Sequence, residues 1–291
     1  MTVWCVGSVN VDHVYAVPHL VAPGETLTAT ARATSLGGKG ANQSVAAARL
    51  HAEVIHVGAV GPDGAAVLAE MAEAGVDVSR VGRVDDPTGH AIIQVDAAGE
   101  NAIVVFAGAN ARIDAFVAAG LDGIAPGDVL LLQNEGTGGA QAARIARHAG
   151  ARVLYSAAPF DATAAREMLP HADLLLLNEG EAAALSAEAP AADLPDRVVT
   201  RGARGAVWHI GDMAIEVPAH PAPRVVDTTG AGDCVAGALA CGLDAMPDAW
   251  GDAEAARDIL ETAMVAASFQ VAKEGAAKAM PTLAMVKAVR G

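Results

Sequence analysis

One stretch of the chain joins a glycine turn to an acid: Asp227-Thr228-Thr229-Gly230-Ala231-Gly232-Asp233, running straight into an apolar helical pattern over residues 234–243. A glycine-rich turn that opens a helix leaves N–H groups unpaired, and the helix dipole adds a positive bias. The N–H groups of Gly230, Ala231 and Gly232 can therefore converge on an anion. A carboxylate beside such a cradle can take the proton of a nucleophile attacking a phosphate held there, and Asp233 stands at that place. The same carboxylate can also be an ordinary helix cap, and on this stretch alone both readings stay open. The spacing is not a dinucleotide fingerprint, which needs glycine where the chain has Val235.

A second cluster, Gly37-Gly38-Lys39-Gly40-Ala41-Asn42-Gln43, opens an alanine-rich helical pattern reaching residue 50. It is not a P-loop, because that motif needs glycine at 34 and Ser or Thr at 40, where the chain has Thr34 and Gly40. The glycines of this cluster suit close backbone approach to a polyhydroxylated ligand, with Lys39 and Asn42 supplying charge and hydrogen bonds. A lid hinge is the other reading. Asn10 and Asp12 follow the first apolar run; two apart in extended chain, they point the same way and can grip neighbouring hydroxyls, or else form an Asx turn.

The elements that must position these residues are legible as hydrophobic patterns. Short apolar runs at 3–9, 54–60, 129–132, 152–155, 174–177 and 197–200 read as buried strands, with helical patterns at 64–74, 139–148, 161–169, 236–244 and 253–271. This predicts an α/β fold with a predominantly parallel sheet and helices on both faces. Glu135 and Asn178-Glu179-Gly180-Glu181 come just past strand ends, where such sheets bind ligands. Carboxylates there can organise Mg²⁺ or complement a helix dipole. Residues 14–17 with 25–36, and 89–96 with 101–106, alternate and read as exposed antiparallel pairs that build a small β-sheet lid. The expected organisation is one domain over 1–291, with lid strands inserted at about 11–37 and 88–107.

The chain has 53% hydrophobic residues among 291, enough for a large core, and a formal net charge of −15, which argues against nucleic acid and anionic membrane surfaces as partners. An anionic substrate then requires a local basic or N–H-lined pocket. Cys5, Cys234 and Cys241 have no metal or disulfide spacing, no apolar run approaches a membrane span, and the start lacks a basic leader, so a cytoplasmic protein is expected. The histidines have no metal-binding spacing.

Taken in order, Gly7 to His13, Pro23 to Thr26, Gly37 to Gln43, Thr88-Gly89, Ala107 to Asn110, Gln133 to Glu135, Asn178 to Glu181, Thr200 to Gly205 and Asp227 to Asp233 resemble the motifs of the ribokinase-like family of sugar kinases, over nearly the whole chain. The resemblance implies an ATP-dependent kinase acting on the primary hydroxyl of a sugar, a pentose such as ribose first. By the same resemblance Asp233 is the base, and the N–H groups of Gly230, Ala231 and Gly232 are the anion hole. Asn10, Asp12, Gly38, Lys39, Asn42 and Glu135 hold sugar hydroxyls. Asn178 and Glu181 order Mg²⁺ through its waters; Thr200, Gly202 and Gly205 lie along the nucleotide. Asp227 and Thr229 are ligands of a monovalent cation, K⁺ being the candidate, and the lid pairs two subunits into a homodimer. A nucleoside kinase of the same family and a non-catalytic sugar-binding protein on the same scaffold are the alternatives.

Four places depart from the family pattern. The chain is short between Asn178 and Thr200, so loss of a peripheral helix is expected. Ala279 stands where a hydroxyl would help the cation and Lys278 brings a positive charge, so activation by K⁺ is expected to be weak. Ser156-Ala157-Ala158-Pro159 replaces an Asn-Pro-Ala-Pro-like run on the sugar side of the cleft, and Met264 stands where a polar residue would face the base.

Overall fold

Apolar runs of the kind 129–132 and 174–177 are buried on both faces, which is the requirement a parallel sheet sandwiched between helices imposes. The computed structural model of the protein describes residues 1–188 and 194–290. In chain order it begins with β1 (Val3–Val6), β2 (Asn10–Ala16), β3 (Ala31–Gly37), α1 (Lys39–Arg49), β4 (Val54–Val60), α2 (Ala65–Glu73), β5 (Val76–Arg83), β6 (Gly89–Val95) and β7 (Asn101–Phe106). It continues with α3 (Asp114–Gly120), β8 (Val129–Leu132), α4 (Gly139–Ala149), β9 (Arg152–Ser156), α5 (Ala162–Met168), β10 (Leu174–Asn178), α6 (Glu179–Glu188) and β11 (Asp196–Thr200). Strands β12 (Ala206–Ile210) and β13 (Met213–Val217) and helices α7 (Ala231–Ala245), α8 (Ala253–Gln270) and α9 (Leu283–Arg290) complete it.

The main sheet has the order β13-β12-β11-β10-β9-β8-β1-β4-β5, parallel from β11 to β5, with β12 and β13 added antiparallel. Alternation along β1 sorts the core into two layers. Val3 and Cys5 face α1, α7 and α8, while Trp4 and Val6 face the layer of α3, α4 and α5. The chain winds from β1 to β4 on one side and resumes at β8 on the other, so the order reverses at β1, and a cleft opens there at the carboxyl edge.

The lid is the expected separate sheet, ordered β3-β2-β6-β7. Its β3 starts at Ala31, later than the alternation from residue 25 suggests, because Glu25 turns back to accept from the Ala22 N–H at 3.0 Å and holds a loop. Three strands escape the sequence reading. β5 is an edge strand with an alternating rather than continuous apolar pattern, and β12 and β13 form a hairpin around Gly211-Asp212, a pair typical of tight two-residue turns. The short link from β10 to β11 retains a helix, α6; the rest of it, residues 189–193, lies outside the described residues. Among the described residues, no helix is long and apolar enough to cross a membrane.

Packing of α1 on α7 determines how closely the two glycine motifs approach. Gly237 of α7 lies against α1 so tightly that a Cβ would fall 2.5 Å from the Ala46 Cβ and 2.6 Å from the Gln43 carbonyl oxygen. Gly237→Val is expected to force the helices apart and lower stability by about 1–3 kcal/mol, as overpacking does, which denaturant unfolding would measure. An unchanged midpoint would mean the contact yields without cost.

Candidate active site

The carboxyl ends of β1, β8, β10 and β11 lie along one edge, and each hands on a segment that the sequence singled out. Asp233, at the start of α7, is only 6% exposed, and its carboxylate leaves its own helix: Oδ2 accepts from Asn42 Nδ2 at 3.1 Å and Oδ1 from Gln43 Nε2 at 2.9 Å. Gln43 is braced in turn by Gln133 Nε2, which donates to its Oε1 at 2.8 Å. A capping carboxylate would accept from its own helix, so the cap reading of Asp233 fails. Burial pushes the Asp233 carboxyl up; the Lys39 charge and the Gln43 and Asn42 bonds pull against it, yet it stays above the ordinary carboxylate range.

The turn before α7 is held open by geometry. Gly230 has φ 81°, and a Cβ there would come within 2.8 Å of the Ala276 Cβ. The Ala231 N–H donates to the Thr228 carbonyl at 3.2 Å, which removes it from the three-amide cradle expected from the sequence. Among the described residues the N–H groups of Gly230, Gly232 and Asp233 have no acceptor, and a Cβ on Gly232 would meet nothing within 4 Å. The amides that this turn leaves unpaired among the described residues are thus those of Gly230, Gly232 and Asp233 itself. Beside it lies a cavity of about 610 Å³ that brings Thr200, Gly202 and Gly205 together with Gly232, with Met264 and Val225 among its walls.

On the other side of Asp233 the α1 residues meet the lid. Asn10 and Asp12 lie in extended β2, so the Asx-turn alternative fails; Asn10 Oδ1 accepts from Asn110 Nδ2 at 2.7 Å. Glu135 Oε2 accepts from the Lys39 N–H at 2.8 Å and from Ser8 Oγ at 2.6 Å. The N-terminus of α1, the feature that resembles a P-loop, therefore already holds a protein carboxylate. Among the described residues Asn42 Oδ1 is buried with no partner. Burial first, and then the Glu135 charge, push the Asp12 carboxyl up to about 6.

The metal-directed expectations fare differently. Asn178 and Glu181 bond reciprocally, Asn178 Oδ1 accepting from the Glu181 N–H at 2.9 Å and Glu181 Oε2 from the Asn178 N–H at 2.8 Å, a capping box on α6. That leaves Glu181 one further oxygen, and among the described residues no three His, Cys, Asp or Glu side chains group to hold a metal. Such a donor set fits Mg²⁺ through water, with phosphates completing its shell. At the other site the Asp227 oxygens accept from the Thr229 N–H at 2.9 Å and the Gly275 N–H at 2.8 Å, and the Thr229 carbonyl accepts from Gln270 Nε2. These oxygens face protein donors, which does not fit a cation site. Ser156 to Pro159 packs on Asn134, whose N–H donates to the Ala158 carbonyl at 3.1 Å, and so buttresses the segment leading to Glu135.

Gln43, Gln133, Asn110 and Gln270 carry the site's hydrogen bonding without having been singled out. The first three stand inside or beside recognised motifs, and a polar residue in such an apolar surrounding was the available signal. Gln270, at the end of α8, had no local signal.

A family model described as pfkB family carbohydrate kinase matches residues 2–283. The chain belongs to this family. The ribokinase of Haemophilus influenzae is 32% identical over 300 residues, covering 97% of this chain and 95% of the relative. Among solved structures, Thermotoga maritima ribokinase superposes with TM-score 0.87 at 28% identity, over 100% of both chains. Arabidopsis thaliana ribokinase complexed with ribose and ATP superposes with TM-score 0.81 at 29% identity, covering 99% of this chain and 98% of that one. This pfkB-family protein is accordingly a phosphotransferase with a sugar alcohol group as acceptor.

In the kinase, Asp12 is expected to titrate near pH 6, observable by carboxyl ¹³C NMR. Because the Glu135 charge adds to burial, Glu135→Gln should move that midpoint down. A midpoint that did not move would show that the two carboxyl groups do not sense each other.

Proposed function

We propose that this kinase transfers the γ-phosphoryl group of ATP to the primary hydroxyl of a pentose, D-ribose first, giving ribose 5-phosphate. The observation that carries the reading is the Asp233 carboxylate, buried and raised in pKa, between the unpaired amides that open α7 and the polar side chains of α1. The names of the similar proteins, and the ribose and ATP in the Arabidopsis complex, support the same choice.

Each group then has a role. The sugar hydroxyl lies against Asp233, whose raised basicity lets it accept the hydroxyl proton as the new O–P bond forms. The N–H groups of Gly230 and Gly232 and of Asp233 itself receive the oxygens of the transferring group, and positioning with charge stabilisation supplies most of the rate. Asn10, Asp12, Gly38, Lys39, Asn42 and Glu135 define which hydroxyl pattern is accepted, since a pocket of hydrogen-bonding groups rejects a sugar that leaves them unpaired. Thr200, Gly202 and Gly205 flank the nucleotide in the 610 Å³ cavity, and its mostly apolar walls, Met264 included, suit an adenine better than a charged group. Mg²⁺, when bound, neutralises phosphate charge, and Glu181 would hold one of its waters.

The lid supplies a second proposal, that two copies pair through it. On β7, Ile103, Val104, Val105 and Phe106 are 51%, 69%, 58% and 52% exposed in succession on an edge strand, a surface that natural sheets cover. A nearly neutral apolar edge of this kind is matched by a copy of itself in antiparallel pairing.

Asp233→Asn should lower kcat about 10²- to 10⁴-fold while leaving nucleotide affinity nearly unchanged. Wild-type turnover by that variant would remove Asp233 as base. In a coupled ADP-release assay over pentoses, hexoses and nucleosides, D-ribose is expected to give the highest kcat/KM; preference for a nucleoside would replace the pentose reading. Val104→Lys should convert a dimer to a monomer in light scattering, and a wild-type monomer would end the lid proposal.

A further inference from the structure

Gln270 is completely buried, and its side-chain amide stands between the turn that carries the anion cradle and the turn that follows α8. Its Nε2 donates to the carbonyl of Thr229 on the first turn and to the carbonyl of Gly275 on the second, the latter at 3.3 Å. A primary amide nitrogen has two hydrogens, so one group satisfies both carbonyls at once. Two convergent main-chain carbonyls with a carboxylate nearby form an arrangement that attracts a cation, because their dipoles point their negative ends into one gap. Here the gap is filled by the partly positive hydrogens of a neutral side chain.

The remaining charge is also supplied from within. Asp227, which flanks the gap, accepts from the Thr229 N–H at 2.9 Å and from the Gly275 N–H at 2.8 Å. The Lys278 side chain runs over Gly275, so closely that a Cβ there would meet its Cε at 2.6 Å, and its positive charge acts on Asp227. The adjacent Ala279 is buried and has no hydroxyl to offer a cation. The two turns are stitched further by the Val226 N–H, which donates to the Val271 carbonyl at 2.8 Å.

We propose that Gln270 takes the place of a monovalent cation, holding the anion-cradle turn against the turn after α8, so that phosphoryl transfer by this enzyme requires no K⁺. Gln270 is a positioning residue: it acts on the transferring group only through Thr229 and the cradle amides of Gly230 and Gly232. The orientation of its amide follows from the two carbonyls, since the reversed amide would place Oε1 against both and repel them. Oε1 has no partner in the structure. If a cation entered the gap, the reversed amide would become one of its ligands, and K⁺ would then be required rather than redundant.

The inference rests on the phosphotransferase reading of the cradle, and the experiment separates the two. Initial rates of ADP release with D-ribose and MgATP are measured in choline, sodium and potassium chloride at equal ionic strength, alongside thermal unfolding in the same salts. The wild type is expected to turn over at the same rate within about twofold, with an unchanged unfolding midpoint, because an ion without a site favours no state. Gln270→Ala should lose about tenfold or more in choline, through two unpaired carbonyls and a loosened turn, and regain most of it in potassium as the ion enters the vacated gap. Gln270→Met, which keeps the volume and removes the donors, should be impaired in every salt. A wild-type rate or unfolding midpoint that rises steeply with K⁺ would overturn the proposal, and those two measurements hold even if a variant does not fold. Absence of ADP release in every salt, by contrast, would count against the kinase reading itself.

Discussion

Everything in the cleft depends on hydrogen bonds between residues about 190 positions apart, from Asn42 and Gln43 on α1 to Asp233 on α7. A carboxylate removed from water costs several kcal/mol unless it is compensated, and each bond from an amide to a charged acceptor returns about 1.5–3 kcal/mol. Two such bonds, with the Lys39 charge, recover much of the cost but not all of it, which is why the carboxyl remains more basic than an exposed one. The residue of that imbalance is chemically useful. A group that holds a proton more firmly than free aspartate is suited to proton transfer in a phosphotransferase.

Two acids at comparable helix starts show how surroundings decide a role. Glu181 closes a capping box with Asn178 at the exposed start of α6, in the manner that favours acids at helix N-termini generally. Asp233 stands equally early in α7, but α7 has no side-chain cap and packs against α1 at Gly237, one turn further on, so the carboxylate finds its partners on the other helix. The unclaimed N–H groups of Gly230, Gly232 and Asp233 are the consequence. Had the acid capped its helix, it would have silenced the cradle it stands beside.

The sheet core was legible because strands such as β8 and β10 are buried on both faces and so have no polar residue to interrupt the run. The lid was legible for the opposite reason, as strand patterns that read as exposed. What eluded sequence reading lies between these limits: β5, half-exposed at an edge, and the β12–β13 hairpin, whose signal is a two-residue turn rather than a pattern. At the site, glycine and acid motifs pointed, by type and order, to segments that the fold brings together around Asp233. The loss of the Ala231 amide from the cradle could not be foreseen, since it follows from how the turn closes on Thr228. Gln270 was illegible because its meaning arises only when two distant turns place their carbonyls on either side of it.

A common economy of charge runs through these features. The chain carries 34 acidic residues against 19 basic ones, so an anionic substrate meets an unfavourable long-range field and must be held by short-range donors. Unpaired main-chain amides open α7, side-chain amides of Asn42 and Gln43 hold the Asp233 carboxylate, and that of Gln270 ties the two turns. Neutral donors cost less to bury than ammonium or guanidinium groups and are hardly screened by salt, whereas charges on an exposed surface lose their influence within about 8 Å at physiological ionic strength. An acidic protein that concentrates neutral N–H groups where phosphate must lie gains selectivity from geometry, because only an anion shaped to meet converging amides recovers what it loses in leaving water.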